Sequence, residues 1–254
     1  MNFHILIWKE EGAVVLQSDS EIRLISKQDI WPLFDDSILA KLGWASDKIH
    51  LKTWQDIYLY EKIRRIKNAK IGEIGGGISR ILANLDESNE LFNIDKFEGA
   101  GNGPIEPIGI ENVKLLPWYV GSESKENITD EFFDVMFSVS VIEHITDENL
   151  NEFFQEAHRM LKKGGLSIHM IDHYISTNGE TNIHKYNEDR FDKYAQFVDE
   201  VSHLKKRGLF KFTSDLATNP DQTMYAWNLM VPSLKEVRLS HQSVSSYFVY
   251  TKNV

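Results

Sequence analysis

The stretch EIGGGIS, Glu73 to Ser79, constrains this chain more than any other. Three consecutive glycines follow the short apolar run KIGEI, and beyond them Ile78, Ile81, Leu82 and Leu85 recur at helical spacing. The pattern predicts a buried strand, a tight turn and an amphipathic helix. In such a turn glycine lets the backbone approach a ligand that a Cβ would hold off, and a helix N-terminus offers free N–H groups. A plain flexible turn is the bland alternative, but three glycines cost backbone entropy that it has no reason to accept.

The chain downstream keeps the same rhythm. ELFNID reads as a second strand, VKLLPWYV as a third, FFDVMFSVSVI as a fourth and LSIHMI as a fifth. Between the second and third lies EGAGNGPIEPIGIEN, so dense in Gly and Pro that it must be loop where a regular unit would place a helix. Thr146 to Lys163 is the clearest helix: Leu150, Phe153, Phe154, Ala157, Met160 and Leu161 form one stripe, acids open it, Lys162 and Lys163 close it, and Gly164 stops it. This alternation predicts an α/β fold, a doubly wound and mostly parallel sheet with helices on both faces. After Asp172, EDRFDKYAQFVDEVSHLKKRG reads as helix, YAWNLMVPSL as a strand before Pro232 and SVSSYFVYTKN as a final strand.

The first 68 residues have a different texture. FHILIWKEEGAVVLQS predicts a hairpin around Glu10, Glu11 and Gly12, and Thr53 and Asp56 are placed to cap a helix from Trp54 to about Lys67. The expected organisation is an N-terminal extension over 1–68 and a ligand-binding domain over 69–254.

Composition removes several function classes. With 254 residues the chain can bury a core without a metal or disulfide staple, and it has no cysteine for a thiolate nucleophile or a zinc–thiolate site. A net charge of -10 argues against a sequence-independent grip on nucleic acid. The one basic run, EKIRRIK from Glu61, reads as a solvated helix face. The opening MNFHILIWKEE is apolar for too few residues and lacks a basic leader, so neither signal peptide nor membrane anchor is expected and a cytoplasmic location is.

What the glycines bind is narrowed by two acids. In a dinucleotide fingerprint Gly75 and Gly77 fit, but the third glycine is Arg80, and a P-loop would need the Gly-Lys-Ser/Thr that does not follow. Glu73 would repel a pyrophosphate and attract a ligand bearing ammonium and sulfonium charges. Asp95, ending the second strand, can accept both hydrogen bonds of a ribose diol. Both also have a plain reading as acids at strand ends.

Taken together, EIGGGIS, NID (Asn93 to Asp95), FFDVMFSVSVIEHITD (Phe132 to Asp147) and RMLKKGGLSIHMID (Arg159 to Asp172) resemble class I S-adenosylmethionine-dependent methyltransferases, of the type 11/12 kind. The resemblance implies a seven-stranded sheet of the Rossmann-like methyltransferase type. It implies that Glu73, Gly75, Gly76 and Gly77 hold the methionine end of S-adenosylmethionine, that Asp95 holds its ribose and that Ser138 lies beside it. Relatives carry Gly-Asp after the third strand, with the acid on the adenine amine; this chain has GSES, which leaves Ser122 or Glu123 for that contact.

The acceptor side is expected beyond the fourth and fifth strands, where Glu143 and His144, and Asp172 and His173, follow neighbouring strands and can converge. His144 and His173 are the candidate general bases, since imidazole titrates near neutral pH. His144 is common in this motif among relatives with different substrates, which fits a structural or cofactor-shell role as well. Asp172-His173 resembles a pair in methyltransferases of surface-sugar gene clusters. No spaced ligand set calls for a metal.

The expected activity is methyl transfer from S-adenosylmethionine, leaving S-adenosylhomocysteine, to an oxygen or nitrogen of a small polar acceptor, a sugar or sugar-phosphate precursor of a surface glycan being one candidate. The rivals are an aminopropyl transferase using the same pocket and a binding module that keeps the fold without turnover. For the extension, the alternatives are a homodimer contact or an acceptor lid that brings Trp54, Gln55 and Tyr58 near the cofactor, with plain packing of the aromatics as the third.

Overall fold

The computed structural model describes residues 6–10, 13–17, 21–25, 29, 31–45, 51–99, 103–176, 189–197 and 241–252. Its body is one sheet in the order β3-β9-β8-β7-β4-β5-β6. The strands are β3 Glu21–Leu24, β4 Lys70–Ile74, β5 Glu90–Ile94, β6 Val113–Leu116, β7 Phe133–Val139, β8 Leu161–Ser176 and β9 His241–Thr251. A separate antiparallel pair joins β1, Leu6–Glu10, to β2, Ala13–Gln17.

Strands β8, β7, β4, β5 and β6 pair in parallel. The parallel body therefore has five strands rather than seven. The sheet is completed by β9, antiparallel to β8, and by β3, antiparallel to β9 and so running with the parallel set. β3 comes from the segment expected as the N-terminal extension, and Ile22 is buried in the core beneath.

Alternation along β7 sends Val135, Phe137 and Val139 to one core layer and Met136 to the other, which Phe133 also joins because the register shifts between Phe133 and Val135. On the first face lie α1, Asp36–Lys41, and α2, Leu51–Ile63, with Trp54, Ile57, Leu59 and Ile63 packed on β4, β7 and β8. On the second lie α4, Asp147–Met160, and the helical residues 189–197, joined by Phe154 stacked on Phe197 at 4.4 Å. The short α3, Ser122–Asn127, follows β6.

Three expectations about helices are corrected. No α-helix follows the glycines: a single 3-10 turn, Leu82–Asn84, takes its place. Side chains capture the backbone there, since Ser79 Oγ accepts the Leu82 N–H at 2.9 Å and Asn84 Nδ2 donates to Arg80 O at 2.8 Å. Second, α2 starts at Leu51 and ends at Ile63, so Thr53 and Asp56 are interior and buried rather than caps. Third, α4 ends at Met160 and β8 begins at once; Gly164, with φ +72°, bends the strand, and its N–H bonds Lys252 O. YAWNLMVPSL and the end of the helix expected after Asp172 lie outside the described residues.

Candidate cofactor and acceptor site

The carboxyl ends of β4, β5, β7 and β8 lie together at one edge, and each presents a polar side chain there. The glycine loop is the tightest part. A Cβ on Gly75, at φ +64°, would come within 2.7 Å of Val141, and one on Gly76 within 2.6 Å of Asn93 Oδ1 and 2.9 Å of Glu73 Cδ. The glycines thus let the loop lie against its own walls, whatever else approaches it.

Those walls are acidic. Asp95 closes the loop by accepting the Gly77 N–H on one oxygen at 2.9 Å and the Phe97 N–H on the other at 2.8 Å. Asn93 Nδ2 donates to Gly77 O at 2.8 Å. Glu73 is buried and accepts a short hydrogen bond from Ser79 Oγ. Burial pushes its pKa up to about 7; the Ser79 bond opposes this, Asp56 and Asp95 add to it, and Lys52 works against it. Asp56, on α2, is likewise raised by burial, against Lys52, Arg80 and the Trp44 Nε1–H bond at 3.0 Å. Arg80 covers this side, its guanidinium 4.1 Å from the Trp44 ring.

The second group stands at β7 and β8. Asp172 Oδ1 accepts from Gln55 Nε2 at 2.7 Å, and its own N–H reaches Glu143 Oε1 at 3.4 Å. Ser140, at φ +54°, places Oγ 2.9 Å from Gln55 Oε1 and 3.2 Å from Asp172 Oδ1. Glu143 Oε2 is buried with no hydrogen-bond partner among the described residues. Burial raises the Glu143 pKa well above the carboxylate range, and the charge of Asp172 raises it further. Neighbouring His144 stands exposed at the rim, yet the walls behind it lower its pKa by desolvation, against the pull of Asp172. The turn bearing both is held from the far side: Arg190, 2% exposed, donates to Ile142 O and Ile145 O, each at 2.9 Å, and pairs with Asp147 at 2.6 Å.

Of the residues expected in the site, Glu73, the glycines and Asp95 thus form one group, and Glu143, His144 and Asp172 a second beside it. The His173 side chain lies outside the described residues; its backbone pairs with Val244. Ser138 is wholly buried with its hydroxyl 2.8 Å from His169 Nδ1, and Ser167 Oγ lies 2.8 Å from the other ring nitrogen. That hydroxyl is committed inside the sheet. Glu123 is engaged on both oxygens, by Lys96 at 2.8 Å and the Tyr119 N–H at 3.0 Å, while Ser122 is exposed. Trp54 and Tyr58 belong to the core, and Gln55 alone of that trio reaches the site.

Sequence reasoning missed Lys52, Asp56 and Ser140. Lys52 Nζ donates to Val139 O at 3.3 Å, at the end of β7. A signal was present: Lys52, Gln55 and Asp56 recur at i, i+3 and i+4, a polar stripe on the helix that also carries the apolar Leu51, Trp54, Ile57 and Leu59.

Parallel sheet, glycine turn after the first parallel strand and acid after the next define the class I methyltransferase architecture. Residues 73–169 match the family model described as a methyltransferase domain. The fold is shared with the geranyl diphosphate C-methyltransferase of Streptomyces coelicolor A3(2), solved with Mg2+, geranyl diphosphate and S-adenosyl-L-homocysteine. That match has a TM-score of 0.51 at 13% identity and covers 79% of this chain and 77% of that one. Phosphoethanolamine N-methyltransferase 2 of Haemonchus contortus, solved with phosphomonomethylethanolamine and S-adenosylhomocysteine, matches with a TM-score of 0.47 at 15% identity over 79% of this chain. The chain spans about half the length of that protein, 52%. No curated protein matches the chain.

Proposed function

We propose that this protein transfers a methyl group from S-adenosylmethionine to an oxygen or nitrogen of a small polar acceptor. The observation that carries the reading is the adjacency of two groups at one sheet edge: Glu73, Asp95 and the glycine loop, and Glu143, Asp172 and His144. The first suits the cofactor family. Its acids favour a ligand with a net positive charge, and each Asp95 oxygen, having accepted one backbone N–H, retains a lone pair for a ribose hydroxyl. The adenine edge is left to Ser122 or Glu123, whose oxygens likewise keep a lone pair each after the bonds from Lys96 and the Tyr119 N–H.

When bound, the cofactor supplies an electrophilic methyl carbon on a sulfonium. The chain's own part is to hold the acceptor in line and to take its proton. His144, its pKa lowered, is a neutral imidazole at neutral pH and can accept a proton from a hydroxyl acceptor; His173 is the second candidate base. Glu143, its pKa raised, keeps its proton to higher pH than an ordinary carboxylate and in that form can donate a hydrogen bond, while Asp172, held by Gln55 and Ser140, offers an acceptor. Such paired donors and acceptors suit a polyhydroxylated acceptor, and a sugar or sugar-phosphate precursor of a surface glycan is the acceptor class proposed, with a cytoplasmic location. The hairpin β1–β2 is the proposed homodimer contact.

The deciding experiment measures S-adenosylhomocysteine binding by calorimetry and product formation from labelled S-adenosylmethionine against nucleotide sugars and amines. Binding with turnover supports the proposal; binding without turnover across acceptors supports a binding module; transfer of an aminopropyl group from the decarboxylated cofactor supports that rival.

A further inference from the structure

We propose that Lys52 anchors the α-carboxylate of the bound cofactor, so that the methionine end is gripped from the N-terminal helix α2 as well as from the glycine loop. The inference rests on the cofactor reading above and adds to it a residue outside the matched span 73–169.

Position is the first support. The Lys52 ammonium sits on Val139 O at the end of β7, and β7 pairs with β4 up to Ser138 opposite Ile74, the residue before the glycines. The wall it stands beside is the wall the loop touches, since a Cβ on Gly75 would meet Val141. A group lying along the glycine loop is therefore within the field of this cation.

Valence is the second. An ammonium has three donors, and Lys52 uses one, in a long bond of 3.3 Å. Among the described residues it forms no ion pair within 4.0 Å, although its charge is felt by Asp56, Glu73, Glu143 and His144. A half-buried cation with unused donors calls for an anion. Charge composition is the third: Glu73, at the foot of the loop, stands within the field of this cation, so an acid and a cation serve the same place. A zwitterionic amino acid end, with ammonium and carboxylate on one carbon, is the ligand group that meets both. The phosphate of an acceptor could meet Lys52 alone, and a mere counter-charge to Asp56 and Glu73 would need no ligand at all.

The experiment compares two probes on the full chain: S-adenosylhomocysteine, and 5′-methylthioadenosine, which shares its nucleoside and lacks the amino acid end. Calorimetry is run on the wild type, Lys52→Gln and Lys52→Arg. The expected result is that Lys52→Gln weakens S-adenosylhomocysteine on the order of 10- to 100-fold, the scale of a charge-assisted hydrogen bond, and leaves 5′-methylthioadenosine within about twofold. Lys52→Arg, which keeps the cation, should recover most of the loss. Retained 5′-methylthioadenosine binding also reports that the variants are folded. Equal loss for both probes, or unchanged S-adenosylhomocysteine affinity in Lys52→Gln, overturns the inference while the cofactor reading stands. A wild type that binds neither probe overturns both.

Discussion

At the scale of single residues, the site is governed by buried acids whose charge depends on what binds. Glu73 has a pKa of about 7 against an ordinary 4.5, chiefly through burial. An acid raised in the fold keeps a proton that the unfolded chain has lost, so its contribution to stability is present at low pH and declines as pH rises from the unfolded value to about 7. Glu73→Gln should therefore flatten the fall in melting temperature between pH 5 and about 8, which thermal scans will check. Ligand binding has the opposite sign. On the proposed reading the ionised carboxylate attracts the cofactor ammonium, so S-adenosylhomocysteine affinity should rise about tenfold from pH 6 to pH 8 and then level off. The same titration on Glu73→Gln should be nearly flat; an equally steep profile would remove Glu73 from the ligand's reach.

Asp95 has two duties, and its replacement should show both. Asp95→Ala removes the proposed ribose acceptor, worth ~1.5–3 kcal/mol of cofactor affinity, and also frees the Gly77 and Phe97 N–H groups. Unlike a pure binding residue, it should lower the melting temperature of the ligand-free protein. Asp95→Asn, which keeps one carbonyl acceptor, should spare stability more than affinity. Calorimetry paired with a ligand-free melt separates the two, and unchanged affinity in both variants would exclude the ribose role.

At the scale of elements, two connections matter most. The glycine loop has no room: Gly76→Ala would press a methyl on Asn93 and Glu73 and should cost ~1–3 kcal/mol, seen as a lower denaturation midpoint without change of slope. The other connection is the clamp of residues 189–197 on the turn Ile142–His144. Arg190→Met strands the carbonyls of Ile142 and Ile145 and should destabilise by ~2–3 kcal/mol. Because that turn carries Glu143 and His144, acceptor turnover should fall further than S-adenosylhomocysteine affinity. The measurement is kcat against cofactor Kd in the same preparation, and loss of cofactor affinity alone would contradict the role.

At the scale of the whole molecule, the N-terminal segment is part of the sheet and of the core. β3 covers the edge of β9, while α2 supplies Trp54, Ile57 and Leu59 to the core and Lys52, Gln55 and Asp56 to the site. A chain starting at residue 69 would expose the β9 edge and a broad apolar face, and is expected to be aggregation-prone and to give no cooperative melt. A sharp calorimetric transition with intact S-adenosylhomocysteine binding would show that 69–254 is an independent domain after all.

What the sequence determined by itself was whatever depends on neighbours along the chain. Strands β4, β5 and β7 show as short apolar runs because both faces are buried, and α4 shows by its stripe, so the parallel architecture and the order glycine loop, Asp95, Glu143-His144, Asp172 were legible. The helix expected after the glycines was the misreading that local pattern invites. Ile78, Ile81, Leu82 and Leu85 have helical spacing, but Ser79 turns to Glu73 and to the Leu82 N–H instead. Only the tertiary structure decided which polar groups meet. Ser138 points to His169 rather than outward, Glu73 is buried beside Asp56, and Lys52 comes to the end of β7 from 87 positions away in sequence. Pairings of that kind follow from how α2 lies across the sheet, and a one-residue change in register would reverse the face of every strand side chain involved.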